Sequence, residues 1–208
     1  MGKLTFASTR KWATVALTVA FMGLTASPAN AVESDENVIN RIQAITEDTR
    51  NGYVSDEDRQ WLAGHPDIAS SLVDPAATTP LVKITPGSKV PQGSTDATRC
   101  VWSDRQVVYK SFTGGVVYRY HNAGNLCWTG YSSSVSGHYG YFDDVSVLYQ
   151  VRNGSHVNQV ISSGTAKTLH TQGYIDQCVA KYGCFSAFYP WNKTTIYANG
   201  AQSFQYGE

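Results

Sequence analysis

The stretch from Cys100 to Tyr131 limits what this 208-residue chain can fold into more than any other part of the sequence. Apolar side chains alternate with other residues at positions 116–121, which is the period of a β-strand that has one face on a core. Glycine-containing segments at 113–115 and 122–125 carry residue types that tolerate a positive φ where the chain reverses. The stretch therefore predicts short strands joined by tight turns, a β-meander with a cysteine near each end.

The same β pattern continues towards the end of the chain. Alternating segments bounded by turn residues predict further strands at 145–151, 156–161, 167–172, 185–189, 194–198 and 201–206. Asn153-Gly154 and Asn199-Gly200 are strong signals for hairpin turns between neighbouring strands. With about eight strands and no helix long enough for a parallel crossover, the sequence predicts a mainly β fold, a small antiparallel sandwich or barrel.

Residues 1–31 have the pattern of an export signal. Three basic residues lie in the first eleven positions, residues 13–24 form an apolar run, and Ala29-Asn30-Ala31 is a small-x-small cleavage motif. The apolar run is too short to span a bilayer, which takes roughly 20 residues. We therefore predict secretion, cleavage before Val32 and an extracellular location, with no membrane span after cleavage.

The four cysteines all lie in the second half of the chain, at Cys100, Cys127, Cys178 and Cys184. An even count in an exported protein favours disulfides, because the extracellular environment is oxidising. Three pairings exist, and proximity in the sequence favours Cys100 with Cys127 and Cys178 with Cys184. The spacing is not that of a zinc ribbon and no histidine lies at ligand spacing, so we predict no metal centre.

Charge and composition divide the chain into segments. Removal of the signal leaves 13 basic residues against 16 acidic ones, which is not the balance of a nucleic-acid binder. Residues 32–76 contain ten acidic and three basic residues, whereas 77–208 contain six acidic and ten basic ones. We predict an acidic short-helix segment at 32–73, a Pro/Thr/Ser-rich linker at 74–99 and a disulfide-bonded β domain at 100–208.

Helix signals recur in the acidic segment. Ser34 and Ser55 are predicted N-caps, and Pro66 suits the start of a third short helix. Within the extended linker, residues 81–84 have the composition of a short strand that docks along a sheet edge. Residues 47–58 partly match a calcium loop, but a glycine turn between two capped helices explains the same residues, and the sequence leaves this choice open.

The second half of the chain carries twelve of the thirteen tyrosines. Exposed tyrosine and tryptophan in loops suit recognition, because they offer a large contact area at a small entropic cost. We predict six loop positions as binding candidates: Tyr131, Tyr139, Tyr141, Phe142, Tyr189 and Trp191. The alternative is that tyrosine fills a small secreted β domain with its hydroxyl at the surface.

Catalytic signatures are missing from the sequence. It contains no glycine-flanked nucleophilic serine, no HExxH helix and no phosphate-binding glycine loop. Asp143 and Asp144 are adjacent, and neighbours on a strand point to opposite faces, so we predict that they do not act as a pair. We predict a protein that is not an enzyme and that uses no cofactor.

Several short segments within residues 100–208 are distinctive: 117–121, 127–130 with Val135, 173–174, 178–184 and 189–190. Together they resemble a group of small secreted actinomycete proteins of unassigned activity. These motifs are structural, so the resemblance implies a disulfide-containing β domain and no catalytic residue. The layout, a short β domain behind an extended arm, is also similar to the adaptor subunits of umbrella toxin particles, which link a lectin-bearing subunit to the toxin's stalk.

These observations predict a secreted, non-catalytic binding module. The first hypothesis is protein binding, as an adaptor or accessory subunit of an extracellular assembly whose partner is another secreted protein. The second is an inhibitor or toxin that acts on an enzyme or a competing cell. The third is binding to the cell wall or to another polysaccharide.

Overall fold

Nine β-strands and three short α-helices make up residues 34–86 and 98–208, the residues that the computed structural model describes. The predicted signal at 1–31 and the linker residues 87–97 lie outside them. The helices are α1 (Asp35–Arg50), α2 (Asp56–Ala63) and α3 (Pro66–Ala69), and a 3₁₀ turn follows at Pro75–Ala77. The strands are β1 (Thr79–Pro86), β2 (Arg99–Lys110), β3 (Val116–Trp128), β4 (Ser133–Asp143), β5 (Tyr149–Ser163), β6 (Ala166–Val179), β7 (Gly183–Phe188), β8 (Trp191–Ile196) and β9 (Gln202–Gly207).

The strands form two antiparallel sheets that pack face to face. The first sheet has the order β1-β2-β3-β4, and the second has the order β5-β6-β8-β9 with β7 also paired to β6. One buried cluster contains Tyr118 and Tyr120 of β3 together with Ile175 of β6 and Phe188 of β7. The prediction of a mainly β, antiparallel, sandwich-like fold is confirmed, since side chains from both sheets share this core.

Two glycines allow the sheets to approach closely. A Cβ atom added at Gly140 of β4 would overlap the Tyr120 hydroxyl oxygen, and one added at Gly173 of β6 would overlap the Phe142 ring. The rings of Tyr120 and Phe142 therefore lie against backbone where any other residue would place a side chain. Glycine in a strand often marks such a close approach.

A buried hydrogen-bond network links the sheets at Asn122. Its Nδ2 donates to Thr171 Oγ1 at 3.0 Å and to the Asn192 carbonyl at 3.2 Å, and its Oδ1 accepts from Thr194 Oγ1 at 2.7 Å. Asn192 Nδ2 in turn donates to the Tyr120 carbonyl at 3.1 Å. These polar side chains are almost completely buried, so their hydrogen bonds across the interface fix one sheet on the other.

Two predicted turns are wrong because the strands run through them. Asn153-Gly154 lies inside β5, where the pairing with β6 changes register, and the chain reverses instead near Gly164, whose φ is 56°. Residues 122–125 likewise lie inside β3, at a change of register with β4. Glycine and asparagine are common both in β-bulges and in turns, so composition alone does not distinguish the two.

The strand predicted at 145–151 begins later than expected. Asp144, just after the end of β4, has a φ of 47°, in the left-handed region. The Tyr149 amide then donates to the Ser146 carbonyl at 2.9 Å, which makes a turn and leaves Val147 99% exposed. The apolar alternation from 145 to 148 therefore belongs to a loop, and β5 starts at Tyr149.

The turns predicted at Gly114 and Gly200 and the strand predicted within the linker are present in the structure. Gly114 lies between β2 and β3 with a φ of 85°, and Gly200 lies between β8 and β9 with a φ of 87°. The short strand predicted at 81–84 is part of the longer β1, which pairs with β2 along all eight of its residues.

The helices share a second buried cluster with the β-strands. Ser34 and Ser55 cap α1 and α2 as predicted, each accepting a hydrogen bond from the backbone amide three residues later, and Pro66 is the first residue of α3. Apolar residues of the helices, among them Ile42, pack in one cluster with Val179 of β6. Helices this short are marginal alone, so burial against the strands stabilises them.

Each sheet carries one disulfide between directly opposed residues of neighbouring strands. Cys100 of β2 is bonded to Cys127 of β3, and Cys178 of β6 is bonded to Cys184 of β7. This is the pairing that proximity in the sequence favours. The bonds fix the register of two strand pairs covalently.

Candidate functional site

One outward-facing surface of the first sheet combines aromatic rings with carboxylates. His121 of β3 lies directly opposite Tyr141 of β4, whereas the neighbouring Tyr120 belongs to the core. Since successive residues of a strand point to opposite faces, His121 and Tyr141 face away from the core. We call this surface the aromatic–carboxylate face, and it comprises Trp102, Asp104, His121, Tyr139, Tyr141 and Asp143.

His121 is held between two carboxylates. Its Nδ1 lies 2.9 Å from Asp104 Oδ1, and its Nε2 lies 3.3 Å from Asp143 Oδ2. The Tyr141 ring stacks on the imidazole with the two centroids 4.2 Å apart, and His121 is buried beneath it. Nδ1 is hydrogen-bonded to Asp104, whereas Nε2 lies near Asp143 without a hydrogen bond. Because both nitrogens are buried, this histidine orients its neighbours rather than presenting a nitrogen to a substrate.

The Tyr141 hydroxyl adds a further contact to Asp104. It donates a hydrogen bond to Asp104 Oδ2 at 3.2 Å. Desolvation and the adjacent Asp104 carboxylate raise the pKa of Tyr141 above its ordinary value, so the hydroxyl remains a donor at neutral pH. Asp104 thus binds both His121 and Tyr141, which fixes the Tyr141 ring over the sheet.

Asp143 and Asp144 reach the same surface. Asp143 contacts His121, and Asp144 Oδ2 forms an ion pair with Arg119 Nη2 at 2.8 Å. Arg119 and His121 are two residues apart in β3 and share a face. The prediction that the two carboxylates point to opposite faces is wrong, because β4 ends at Asp143 and the left-handed backbone of Asp144 breaks the alternation.

Buried polar atoms without a hydrogen-bond partner lie beside these residues. In the described part of the chain, they include Gln106 Oε1, Arg119 Nε and Asp143 Oδ1, and Arg119 is directly opposite Asp143 in the pairing of β3 with β4. Others, such as Tyr120 Oη and Asn192 Oδ1, belong to the interior between the sheets. Gln106, Arg119 and Asp143 are partly exposed as residues although these atoms are buried, so a ligand would pair with the atoms only after the side chains rotate towards it.

The structure brings together two of the six predicted aromatic residues. Tyr139 and Tyr141 lie on the aromatic–carboxylate face with ring centroids 5.5 Å apart, whereas Phe142 packs against the core. The expectation that these three residues form a loop is wrong, because they belong to β4, where alternation sends Phe142 inward. Tyr131 does lie in a loop, between β3 and β4, and is 81% exposed.

Tyr189 and Trp191 lie with the second sheet. Tyr189 follows β7 and stacks on Tyr174 of β6, with centroids 5.0 Å apart. Trp191 begins β8, and Lys193 Nζ lies 4.9 Å from the centroid of its ring. In the described part of the chain, their ring contacts are to residues of the second sheet, so they form no cluster with Tyr139.

Sequence reasoning missed Trp102, Asp104 and His121. The Trp102 ring centroid lies 6.0 Å from that of Tyr139, which extends the aromatic row across the sheet. A usable signal was present, because a Cys100–Cys127 bond between opposed strands sets the register of β2 on β3. Counting along both strands from that bond places residue 106 opposite His121.

Strand β1 is a second candidate surface, because it forms an edge of the first sheet. Leu81, Val82 and Ile84 are 48%, 50% and 50% exposed, and Lys83 lies among them. An edge strand leaves backbone amides and carbonyls unpaired, which makes it a template for another strand.

Residues 34–86 and 98–208 contain no group of three or more His, Cys, Asp or Glu side chains placed to hold a metal ion. In the calcium-like segment 47–58, Glu47 pairs with Arg50 and Asp58 pairs with Arg41. None of the helices described is both long and apolar enough to cross a membrane.

Comparison with known proteins found no matching family model, no matching curated protein and no matching solved structure. The resemblance of residues 100–208 to small secreted actinomycete proteins therefore stays a prediction. The function of the chain has to be argued from its own surfaces.

Proposed function

We propose that the protein is a secreted, non-catalytic binding module that accepts a strand of a partner protein along β1. The observation that carries this proposal is that, among residues 34–86 and 98–208, β1 pairs with β2 on one side and with no strand on the other, and has three half-exposed apolar side chains within four consecutive residues. An added strand would form backbone hydrogen bonds with this edge. Leu81 on one face and Val82 with Ile84 on the other would supply its side-chain contacts.

The composition of β1 indicates that the added strand comes from a different protein rather than from a second copy of this chain. Two β1 strands paired antiparallel about Lys83 would place their ammonium groups opposite each other, and like charges in that position are destabilising. Proline at 80 and at 86 limits the length of the ladder, because proline donates no backbone hydrogen bond. The similarity in layout to toxin-particle adaptors makes an adaptor in an extracellular assembly the specific form of the proposal.

Secretion is part of the proposal and has its own support. The two disulfides suit an oxidising compartment, and residues 1–31 have the pattern of a signal sequence. Mass spectrometry of protein from the culture medium of the producing organism should find a chain that begins at Val32 with all four cysteines oxidised. A chain found only inside the cell, with free thiols, would contradict secretion.

Partner capture tests the role of β1. The tagged chain is used to isolate proteins from the same culture medium, in parallel with a V82K/I84K double variant. Both substitutions introduce charge where the added strand would pack, so the partner should be lost. Val147→Lys is the matched control, since Val147 is almost fully exposed in a loop away from this edge, and it should retain the partner.

Two outcomes would reject the proposed use of β1. One is capture of the same partner by the double variant at the wild-type yield. The other is a wild-type homodimer that sedimentation shows to dissociate in the double variant, because a second copy would then occupy the edge.

A further inference from the structure

The aromatic–carboxylate face is a binding surface separate from the β1 edge. We infer that it binds a neutral polysaccharide built from flat, β-linked pyranose rings. This inference does not depend on the proposed function. Val82 and Ile84, the residues varied in the test of β1, lie opposite Arg105 and Ser103, so they point to the other side of the sheet from Asp104. Leu81 and Lys83 lie opposite Gln106 and Asp104 and border the aromatic–carboxylate face.

The aromatic row supplies the apolar part of the site. The ring centroids of Trp102 and Tyr139 are 6.0 Å apart, those of Tyr139 and Tyr141 are 5.5 Å apart, and Tyr139 is 46% exposed. A pyranose ring with equatorial hydroxyls has two flat faces of C–H groups, which pack on an aromatic ring as other apolar surfaces do. A row across neighbouring strands of a sheet is extended rather than concave, so it suits a chain of sugar rings more than a small molecule that needs a cleft.

The polar atoms beside the row match hydroxyl groups. Gln106 Oε1 and Asp143 Oδ1 are acceptors without a partner, and Arg119 Nε is a donor without one. A hydroxyl donates one hydrogen bond and accepts others, so a polyol is able to satisfy both kinds of atom. A ligand with acceptors alone, such as a phosphodiester, would leave the two oxygens unpaired.

The charges of the face exclude polyanions. The face carries the carboxylates of Asp104, Asp143 and Asp144 and two cations, Arg119, which is paired with Asp144, and Lys83 of β1, which lies directly opposite Asp104. The local potential is therefore negative or close to neutral, which repels nucleic acids and acidic polysaccharides. A neutral sugar polymer meets no such penalty.

The face is organised before a ligand arrives. Tyr141 is fixed by stacking on His121 and by its hydrogen bond to Asp104. The Cys100–Cys127 bond joins β2 to β3 two residues before Trp102. A preorganised face loses little conformational entropy on binding, which raises affinity for a given contact area.

Isothermal titration of the full, oxidised chain with cellohexaose and with chitohexaose tests the inference. The wild type should bind at least one of the two hexaoses. Tyr139→Ala and Trp102→Ala should each weaken that binding by about tenfold, the effect of losing one stacked ring. Tyr131→Ala is the matched control, because Tyr131 is more exposed but lies in a loop, and it should change the affinity by less than about twofold.

A second variant separates loss of the ring from loss of folding. Tyr139→Leu keeps an apolar side chain on β4 but removes the aromatic surface, so weaker binding with an unchanged thermal unfolding midpoint supports the inference. The inference is overturned if neither hexaose binds the wild type at about 1 mM. It is also overturned if Tyr139→Ala binds as the wild type does, or if polygalacturonate binds more tightly than the neutral sugars. Capture of a protein by β1 would be unaffected by any of these results, so the two proposals fail separately.

Discussion

Polar side chains on the two faces of β3 differ in the hydrogen bonds that they make. On the inner face, the Asn122 amide is satisfied on both its nitrogen and its oxygen by Thr171, Asn192 and Thr194 of the second sheet. On the outer face, His121 lies between two carboxylates, next to polar atoms that lack partners. The inner network is closed at Asn122, although Asn192 Oδ1 lacks a partner, and it joins the two sheets. The outer network lies on one sheet next to solvent, so we expect it to matter less for stability.

The largest effect on stability is expected at the closed network. Asn122→Ala removes the side chain that joins the two sheets and takes away the buried acceptor of the Thr194 hydroxyl and the buried donor to Thr171 Oγ1. We expect a loss of about 3 kcal/mol in the free energy of unfolding, because each buried polar group left without a partner costs 1–3 kcal/mol. Unfolding in guanidinium chloride with both disulfides intact measures it.

A double-mutant cycle separates the network from a simple cavity. Thr194→Val removes the hydroxyl that donates to Asn122 Oδ1, so the combined variant should lose less stability than the two single variants together. Strict additivity would show that Asn122 acts by filling space, and the contrast between the faces of β3 would then disappear.

The next effect is expected where the second sheet approaches β3. Gly173→Ala places a methyl group against the rings of Phe142 and Tyr120 and should cost about 2 kcal/mol, the usual range for overpacking a core. Gly115→Ala is the matched control, because a Cβ there would lie 3.6 Å from Ser111 Oγ, an ordinary contact, and the residue is exposed. Equal unfolding midpoints for the two variants would show that the sheets are not held as closely as the structure has them.

Local patterns in the sequence predict the strands and some of the turns, but they do not predict how neighbouring strands are aligned. Alternation and glycine identify the turns at Gly114 and Gly200, because those signals depend on residues next to one another. The bulges inside β3 and β5 were predicted as turns, since only pairing with a neighbouring strand shows that the chain continues.

In the candidate site, too, local sequence predicts some residues and cross-strand contacts determine the others. The cluster around 139–142 was predicted from composition, and Tyr139 and Tyr141 do lie together. Trp102 and His121 join them through cross-strand contacts between residues far apart in the sequence. Composition does not show such contacts, and only the register set by the Cys100–Cys127 bond points to them. Asp144 departs from prediction for a different reason, because its positive φ has no signal in a strand-like stretch of sequence.

A smaller effect on stability is expected on the outer face. His121→Phe keeps a ring beneath Tyr141 but removes both contacts to the carboxylates, and we expect a loss of about 1 kcal/mol because Asp143 is able to turn to water. His156→Phe on exposed β5 is the control and should change little. Chemical denaturation compares both with Asn122→Ala, and a loss at His121 as large as that at Asn122 would mean that the outer network also holds the fold.

The smallest effect is a pH dependence that originates on the inner face of β3. The Tyr118 hydroxyl donates to Glu208 Oε1 at 2.5 Å, and desolvation raises the pKa of the Glu208 carboxyl from its ordinary value of 4.5 to about 7. Between these values the native state keeps a proton that the unfolded state has released, so the free energy of unfolding falls as the pH rises through this window.

We expect Glu208 to contribute less than about 1 kcal/mol to this fall, because the residue as a whole is exposed and water offsets part of the desolvation. Glu208→Gln carries no titrating proton, so the stability difference between wild type and variant should change from pH 4.5 to pH 7 and be constant above that range. A constant difference between wild type and Glu208→Gln across the whole window would show that the carboxyl is solvated, and that the inner face of β3 contains no titrating contact there.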